Sequence, residues 1–245
     1  TGVDPDTIEA LIVSTTTPDY PFPSTASIVV GKLGLKNAFA FDMSCACCGF
    51  IYALDMASSM IQSGRYKRVI VCSAEKMSSI VDWTDRQTCV LFGDGAGLPF
   101  LHMKAGGSVC PASHFTIDNR LHYVYQEGRT VFRHAVTYMS DDVATVMQRN
   151  HLDNNNLSWI VPHEANLRII DAVAKRADLP LDKVMINIDH YGNTSSATIP
   201  LALWDNESKL RKGDNIIFTA FGAGFVHGAV YFKWAYDGDK VSEAK

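Results

Sequence analysis

Three cysteines crowd into four residues at Cys45-Ala46-Cys47-Cys48, between the apolar run ending at Phe41 and the apolar stretch that starts at Gly49. The pattern reads as a buried strand turning directly into a buried helix. A thiol at such a turn meets the positive end of the helix dipole, which favours thiolate. It also lies beside backbone N–H groups that no helical carbonyl uses, and these can hold an oxyanion. Taken alone, the cysteines fit equally well as small core fillers. Val161-Pro162-His163-Glu164-Ala165-Asn166 repeats the strand-to-helix turn with a histidine, and Tyr191-Gly192-Asn193-Thr194-Ser195-Ser196 repeats it with an asparagine. Singly, a capped histidine and an ordinary Asn/Ser N-cap explain these two segments. In a parallel sheet, however, strand ends of one sense gather at one edge, where sites form. Three such ends offering Cys, His and Asn form a constellation, a stronger signal than any member alone.

The elements that must position these residues alternate between strand and helix. Apolar runs predict strands at Ile8–Ser14, Ala38–Phe41, Val69–Ser73, Trp159–Val161, Val184–Ile188, Ile216–Ala220 and Ala229–Trp234, with the last two paired antiparallel. Val90–Phe92 is a further short run leading into Gly93-Asp94-Gly95-Ala96-Gly97. Helices are expected at Thr25–Leu33, with Ser24 as N-cap and Gly34 as stop, and from Ala46 to Gly64. The second of these is apolar almost all round and should be buried. Further helices are expected over Val131–Arg149, Glu164–Ala177 and Ser195–Leu210, with Pro200 a candidate kink in the last. Asp42 and Asp189, and likewise Val69 and Ile216, stand 147 residues apart, an offset that suggests two related α/β halves. No first strand precedes the opening residues, and the run through Gly97 breaks at Leu98-Pro99. We therefore expect an N-terminal portion and one internal segment to be missing from the chain.

Composition narrows the function classes. The chain has 245 residues, 47% hydrophobic and 20% charged, an ordinary globular balance. A net charge of −4 lacks the basic excess of a nonspecific nucleic-acid binder. No apolar run approaches the ~20 residues of a membrane span, and the opening residues do not read as a basic-then-apolar signal peptide, though residue 1 need not be the true start. The six cysteines, Cys45, Cys47, Cys48, Cys72, Cys89 and Cys110, lack zinc spacing and are expected as free thiols in a reducing cytosol. Gly93-x-Gly-x-Gly97 lacks the spacing of a dinucleotide loop. Phe221-Gly222-Ala223-Gly224-Phe225 reads either as a hairpin turn or as a backbone N–H delivered where a side chain would block.

DMSCACCGF, DWTDRQTCVLFGDGAG, VPHEANLRI, YGNTSSATIPLAL and FGAGF occur in this order. Together, from about Ile8 to Trp234, they resemble β-ketoacyl-acyl carrier protein synthase III, a thiolase-fold condensing enzyme that initiates fatty acid synthesis. The resemblance implies a five-layer αβαβα fold with two pseudo-repeated halves, residues 1–110 carrying the nucleophile and 111–245 carrying His and Asn. It implies a cytoplasmic homodimer with no metal and no organic cofactor, whose substrates are acyl-CoA and malonyl-acyl carrier protein. The family's D-x-[SN]-x-x-C-x-G-F pattern selects Cys47 as nucleophile over Cys45 and Cys48, and the family's His and Asn fall on His163 and Asn193. It further implies an oxyanion hole from the N–H groups of Cys47 and Gly224, and an acyl pocket lined by Phe22 from the partner subunit. Coenzyme A and carrier-protein contacts fall on Arg86, Glu164, Ala165, Asn166, Leu167 and Arg168. Glu164 departs from the family's usual Gln, which puts a carboxylate in the carrier-protein stretch. Cys45 and Cys48 stand where small residues are common.

A papain-like hydrolase also uses Cys, His and Asn in that order, and here His163 and Asn193 follow Cys47 by 116 and 146 residues. Its C-G-S-C-W type signature is absent, and the repeated halves have no role in that reading. A non-catalytic thiolase-like subunit would not need all three residues. A thiolase-like synthase of secondary metabolism with a different primer shares the motifs.

Overall fold

The structure, a computed structural model, describes residues 2–85, 92–93 and 101–238. Its first sheet has β1 (Ala10–Ser14) in the middle, flanked by β2 (Phe39–Met43) and β3 (Val69–Ser73), all parallel. The crossovers are α1 (Thr25–Leu33) and α2 (Gly49–Gln62). The Ser24 hydroxyl caps α1 by accepting from Ser27 N–H, and Gly34 ends it at φ 65°, a conformation that favours glycine. The Asp42 carboxylate, on β2, accepts from the N–H groups of Thr25 and Ala26 at 2.7 Å each, tying the start of α1 to the strand that leads to the cysteine turn.

After β3 come β4 (Phe92–Gly93), then β5 (Leu101–Met103), α3 (His114–Asp118) and β6 (Val124–Gln126). β5 and β6 pair antiparallel. The second half comprises α4 (Gly128–Arg149), β7 (Trp159–Pro162), α5 (Leu167–Arg176), α6 (Ile188–Tyr191), β8 (Asn193–Thr194), α7 (Thr198–Asn206), β9 (Asn215–Gly222) and β10 (Val226–Lys233). β9 is central to its sheet, parallel to β7 and antiparallel to β10. Ala10 pairs with Val69 as Trp159 pairs with Ile216, so Val69 and Ile216, one of the two pairs in the sequence offset, hold matching places in the two sheets.

α1 covers the outer face of the first sheet, and α4 packs on the outer face of the second with α5 alongside. α2 lies between the sheets, touching β1 and β3 on one side and β9 and β10 on the other, while α7 packs on β7 in the same middle layer. This is the expected αβαβα order. The middle layer buries Phe50, Ile51 and Ile199 against Ile216 and Phe218. Fully buried side chains of this size each contribute about 1.5–3 kcal/mol.

Three expectations are corrected. The helix after the cysteines is not buried all round: Met56 and Ile61 of α2 are more than 40% exposed. Val184–Ile188 is not a strand. It makes one parallel bridge, Val184 to Ile160, and the N–H of Asn187 then turns to the Glu164 carboxylate instead of a neighbouring strand. Pro200 produces no kink, because it falls in the first turn of α7, where a missing N–H leaves no helical bond unmade.

Candidate active site

Cys47 sits in the single 3-10 turn Ala46–Cys48 that feeds α2, and it is 3% exposed. Ala46 adopts φ +46°, an uncommon conformation for a residue with a side chain. A Cβ on Gly222 would lie 3.0 Å from Cys47 N and 3.3 Å from Cys47 Cβ. Glycine there lets β9 approach the turn closely. Gly224 lies in the β9–β10 hairpin turn at φ +142°.

The neighbouring thiols are chemically muted. Burial, reinforced by the charges of Cys47, Cys45 and Asp142, pushes the Cys48 thiol far above the usual range, and its S–H donates to the Val226 carbonyl at 3.4 Å. Burial also raises Cys45. Cys45, Cys48, Cys72 and Cys110 are free thiols, whereas Cys89 lies outside the described residues.

His163 closes β7, 1% exposed, with its N–H on the Thr219 carbonyl at 2.7 Å and its Nδ1 2.8 Å from Thr198 Oγ1. Burial lowers its pKa to about 3, against a smaller opposing effect of a hydrogen bond to the Ser195 carbonyl, so the ring is neutral at working pH. Asn193 is 3% exposed in β8, which pairs with β4 through Phe92. Its Oδ1 accepts from Ser195 N–H at 2.9 Å, which directs the amide NH2 elsewhere. Ser195 adopts φ +52° and is fully buried, with its Oγ 3.8 Å from Cys47 Sγ.

Cys47, His163 and Asn193 line one cavity of about 430 Å³. Its walls are largely apolar, with Leu101, Val131, Ala135, Met139 and Phe221 among them, while Gln126, Arg129, Asn166 and Arg168 add polar groups. The structure therefore brings Cys47, His163 and Asn193 together, although no strand precedes Asn193 at Val184–Ile188, and adds Ala165, Asn166 and Arg168 to the same cavity. Leu167 is exposed beside them. Glu164 does not join them. Its side chain is 1% exposed and faces inward, with Oε1 accepting from Asn187 N–H at 2.9 Å and Oε2 buried without a partner. A surface contact from this carboxylate is thus ruled out. Burial, aided by the charges of Asp189 and Asp205 and opposed by the Asn187 N–H, raises its pKa to about 7. Phe22 is 85% exposed, and Arg86 lies outside the described residues. Sequence reasoning missed Arg129 and Phe132, which line the cavity from the first turns of α4. The signal was their i, i+3 spacing, next to the i, i+4 series Val131, Ala135 and Met139.

Two crystal structures of 3-oxoacyl-(acyl carrier protein) synthase III resemble most of the chain. The Aquifex aeolicus enzyme is 40% identical with a TM-score of 0.80, covering 94% of this chain and 78% of that one. The Pseudomonas aeruginosa enzyme is 34% identical with a TM-score of 0.83, over 94% and 77%. The fold is that of a thiolase-fold condensing enzyme. Residues 41–116 match the model of the 3-oxoacyl-[acyl-carrier-protein] synthase III family, and residues 147–234 match that of its C-terminal part. Among curated relatives, β-ketoacyl-[acyl-carrier-protein] synthase III 2 of Bacteroides thetaiotaomicron is 59% identical over 99% of this chain and 79% of its own length. The synthase III of Phocaeicola vulgatus is 60% identical over 98% and 79%. The chain belongs to the 3-oxoacyl-[acyl-carrier-protein] synthase III family, the condensing acyltransferases that prime fatty acid synthesis. The alignment with the Bacteroides relative spans 266 positions, more than the 245 residues of this chain, so that relative carries residues within the matched span that this chain lacks.

Proposed function

We propose that Cys47 takes the acyl group from an acyl-CoA, with acetyl-CoA the expected primer, and then condenses it with malonyl-acyl carrier protein to give 3-oxoacyl-acyl carrier protein, CoA and CO2. The observation that carries this reading is the convergence of Cys47, His163 and Asn193 on one largely apolar cavity. In the first stage the Cys47 thiolate attacks the thioester carbonyl carbon and the CoA thiolate leaves. The N–H groups of Cys47 and Gly224 hold the tetrahedral oxyanion. In the second stage the malonyl thioester loses CO2, and its enolate carbon attacks the acyl-cysteine carbonyl, returning Cys47 as thiolate. His163 and Asn193 donate to the enolate oxygen. Thr198 Oγ1, 2.8 Å from Nδ1 of His163, holds the ring in place for this task. A neutral histidine suits a donor that must not lose its proton to the enolate. Donors of this kind are typically worth about 3–4 kcal/mol each. The thioester supplies the activated carbonyl, so the reading calls for no metal or organic cofactor.

Arg168 is exposed at the start of α5, its guanidinium 5.8 Å from the centre of the Phe132 ring, and suits phosphate or an acidic carrier protein. Asn166, Ala165 and Leu167 flank it. Arg86 remains the proposed coenzyme A adenine contact. The exposed Phe22 supports a homodimer in which it lines the partner's acyl pocket. Residues 1–110 and 111–245 form the two halves, and a cytoplasmic location is proposed with them. With radiolabelled acyl-CoA, Cys47→Ala should abolish covalent acylation, whereas Cys45→Ala and Cys48→Ala should retain it. Retention by Cys47→Ala with loss in Cys45→Ala would overturn the assignment. Mass analysis of products from mixed acyl-CoAs identifies the primer.

A further inference from the structure

The 3-10 turns Ala46–Cys48 and Ser195–Ala197 each open a middle-layer helix, each contains a residue in the left-handed region, and they pack directly on each other. Ser195 is the residue where they meet. Its N–H fixes Oδ1 of Asn193, and its carbonyl accepts from Thr198 Oγ1 at 3.1 Å and from the His163 ring. Those backbone contacts leave the side chain a separate task. Ser195 is 0% exposed, and among the described residues its hydroxyl has one hydrogen-bond partner, the Cys47 sulfur at 3.8 Å. A buried hydroxyl costs free energy unless it is bonded, and a bond to an ionised acceptor is stronger than one to a neutral acceptor.

We propose that the Ser195 hydroxyl is a catalytic hydrogen-bond donor to Cys47 Sγ, holding the sulfur as thiolate until it attacks the acyl thioester. The proposal rests on the reading of Cys47 as nucleophile. When the sulfur forms its bond to the acyl carbon and the CoA–sulfur bond breaks, negative charge leaves Cys47 with the CoA thiolate. The Ser195 bond then weakens to a neutral contact. After condensation the charge returns to Cys47, and the bond strengthens again. The donor thus stabilises the leaving cysteine thiolate in the second stage as well as the attacking thiolate in the first.

The test is the pH profile of iodoacetamide alkylation at Cys47, read by mass mapping in the wild type, Ser195→Ala and Ser195→Gly. Both substitutions retain the Ser195 N–H and carbonyl, and glycine suits φ +52° better than alanine does. The titratable groups around Cys47 are His163, neutral above pH 4 or so, and the thiols Cys45 and Cys48, both raised by burial. Glu164, beside His163, has its pKa raised to about 7, but it is common to all three proteins, so the difference between their profiles follows Cys47. A charge-assisted bond of ordinary strength predicts that the midpoint moves up by about one pH unit in both variants, roughly a tenfold loss of reactivity below the midpoint. An unchanged midpoint in a variant still labelled at Cys47 would overturn the proposal. So would a shift in Ser195→Ala that Ser195→Gly abolishes, since backbone strain would then be the cause. If acyl-CoA and iodoacetamide both label Cys45 or Cys48 and spare Cys47 in the wild type, the nucleophile assignment fails first and takes the donor with it.

Discussion

Glu164→Gln should stabilise the protein above neutral pH and do little below pH 4.5. Glu164 is buried beside His163, and its pKa is raised from 4.5 to about 7. A raised carboxyl pKa means that the folded state holds the proton more tightly than the unfolded chain. Its favourable contribution is complete below pH 4.5 and is lost as pH climbs through 7. The shift of roughly 2.5 units, at about 1.36 kcal/mol per unit, sets an upper bound near 3 kcal/mol on what ionisation costs at pH 8. Glutamine keeps the carbonyl that accepts from Asn187 N–H and offers an NH2 in place of the unpartnered Oε2, next to Asp189 and Asp205. Urea unfolding of wild type and Glu164→Gln at pH 5 and pH 8 measures the effect. Every other group titrates equally in the two proteins, so the change in their difference isolates Glu164. A gain of about 1–3 kcal/mol for the variant at pH 8, shrinking to about a quarter of that at pH 5, is expected. Equal differences at the two pH values would refute the reasoning, because a packing effect carries no pH dependence.

His163→Ala and Asn193→Ala should each cut malonyl-thioester decarboxylation by about 10²–10³ while leaving single-turnover acylation of Cys47 measurable. The double variant should fall short of the product of the two losses. Gly222→Ala should lower kcat/KM by about 10² or more, since its Cβ meets the Cys47 backbone at 3.0 Å, in a site where small misplacements cost that much. Gly228→Ala, whose nearest neighbour would be Tyr52 Cε1 at 3.5 Å, is the tolerated control in the same steady-state assay. Sedimentation at micromolar concentration should show a dimer, and Phe22→Ala should alter acyl-chain preference more than the unfolding midpoint. A fully active monomer would refute the shared pocket.

Cys47 and His163 were legible because they follow strands whose apolar runs stop abruptly, whereas Asn193 sits in the two-residue β8 after α6 and not beyond the expected strand. The Val69–Ile216 offset survives as matched strand register because a strand's pairing partner is fixed by the residues that must face its core. Val184–Ile188 misled because a short apolar run looks the same whether it continues a sheet or merely lies against one. Glu164 misled for a related reason. Carboxylates are almost never fully buried unless paired, so a glutamate beside the site was read as a surface group. Only the fold shows that it faces Asn187, six residues before Asn193.

Ser195 marks the limit of such reading. In the chain it is one of several small polar residues ahead of a helix, and the bland reading of an N-cap accounts for it fully. Its separate identity arises from two facts that neither half contains alone. Each half ends a strand in a tight turn with one left-handed residue, Ala46 in one and Ser195 in the other. Only the packing of those turns against each other sets a hydroxyl against a sulfur 148 residues away in sequence. A motif scan finds residues that are unusual where they stand. A residue that is ordinary in its own half becomes specific at the junction, where the turn of the other half supplies its partner.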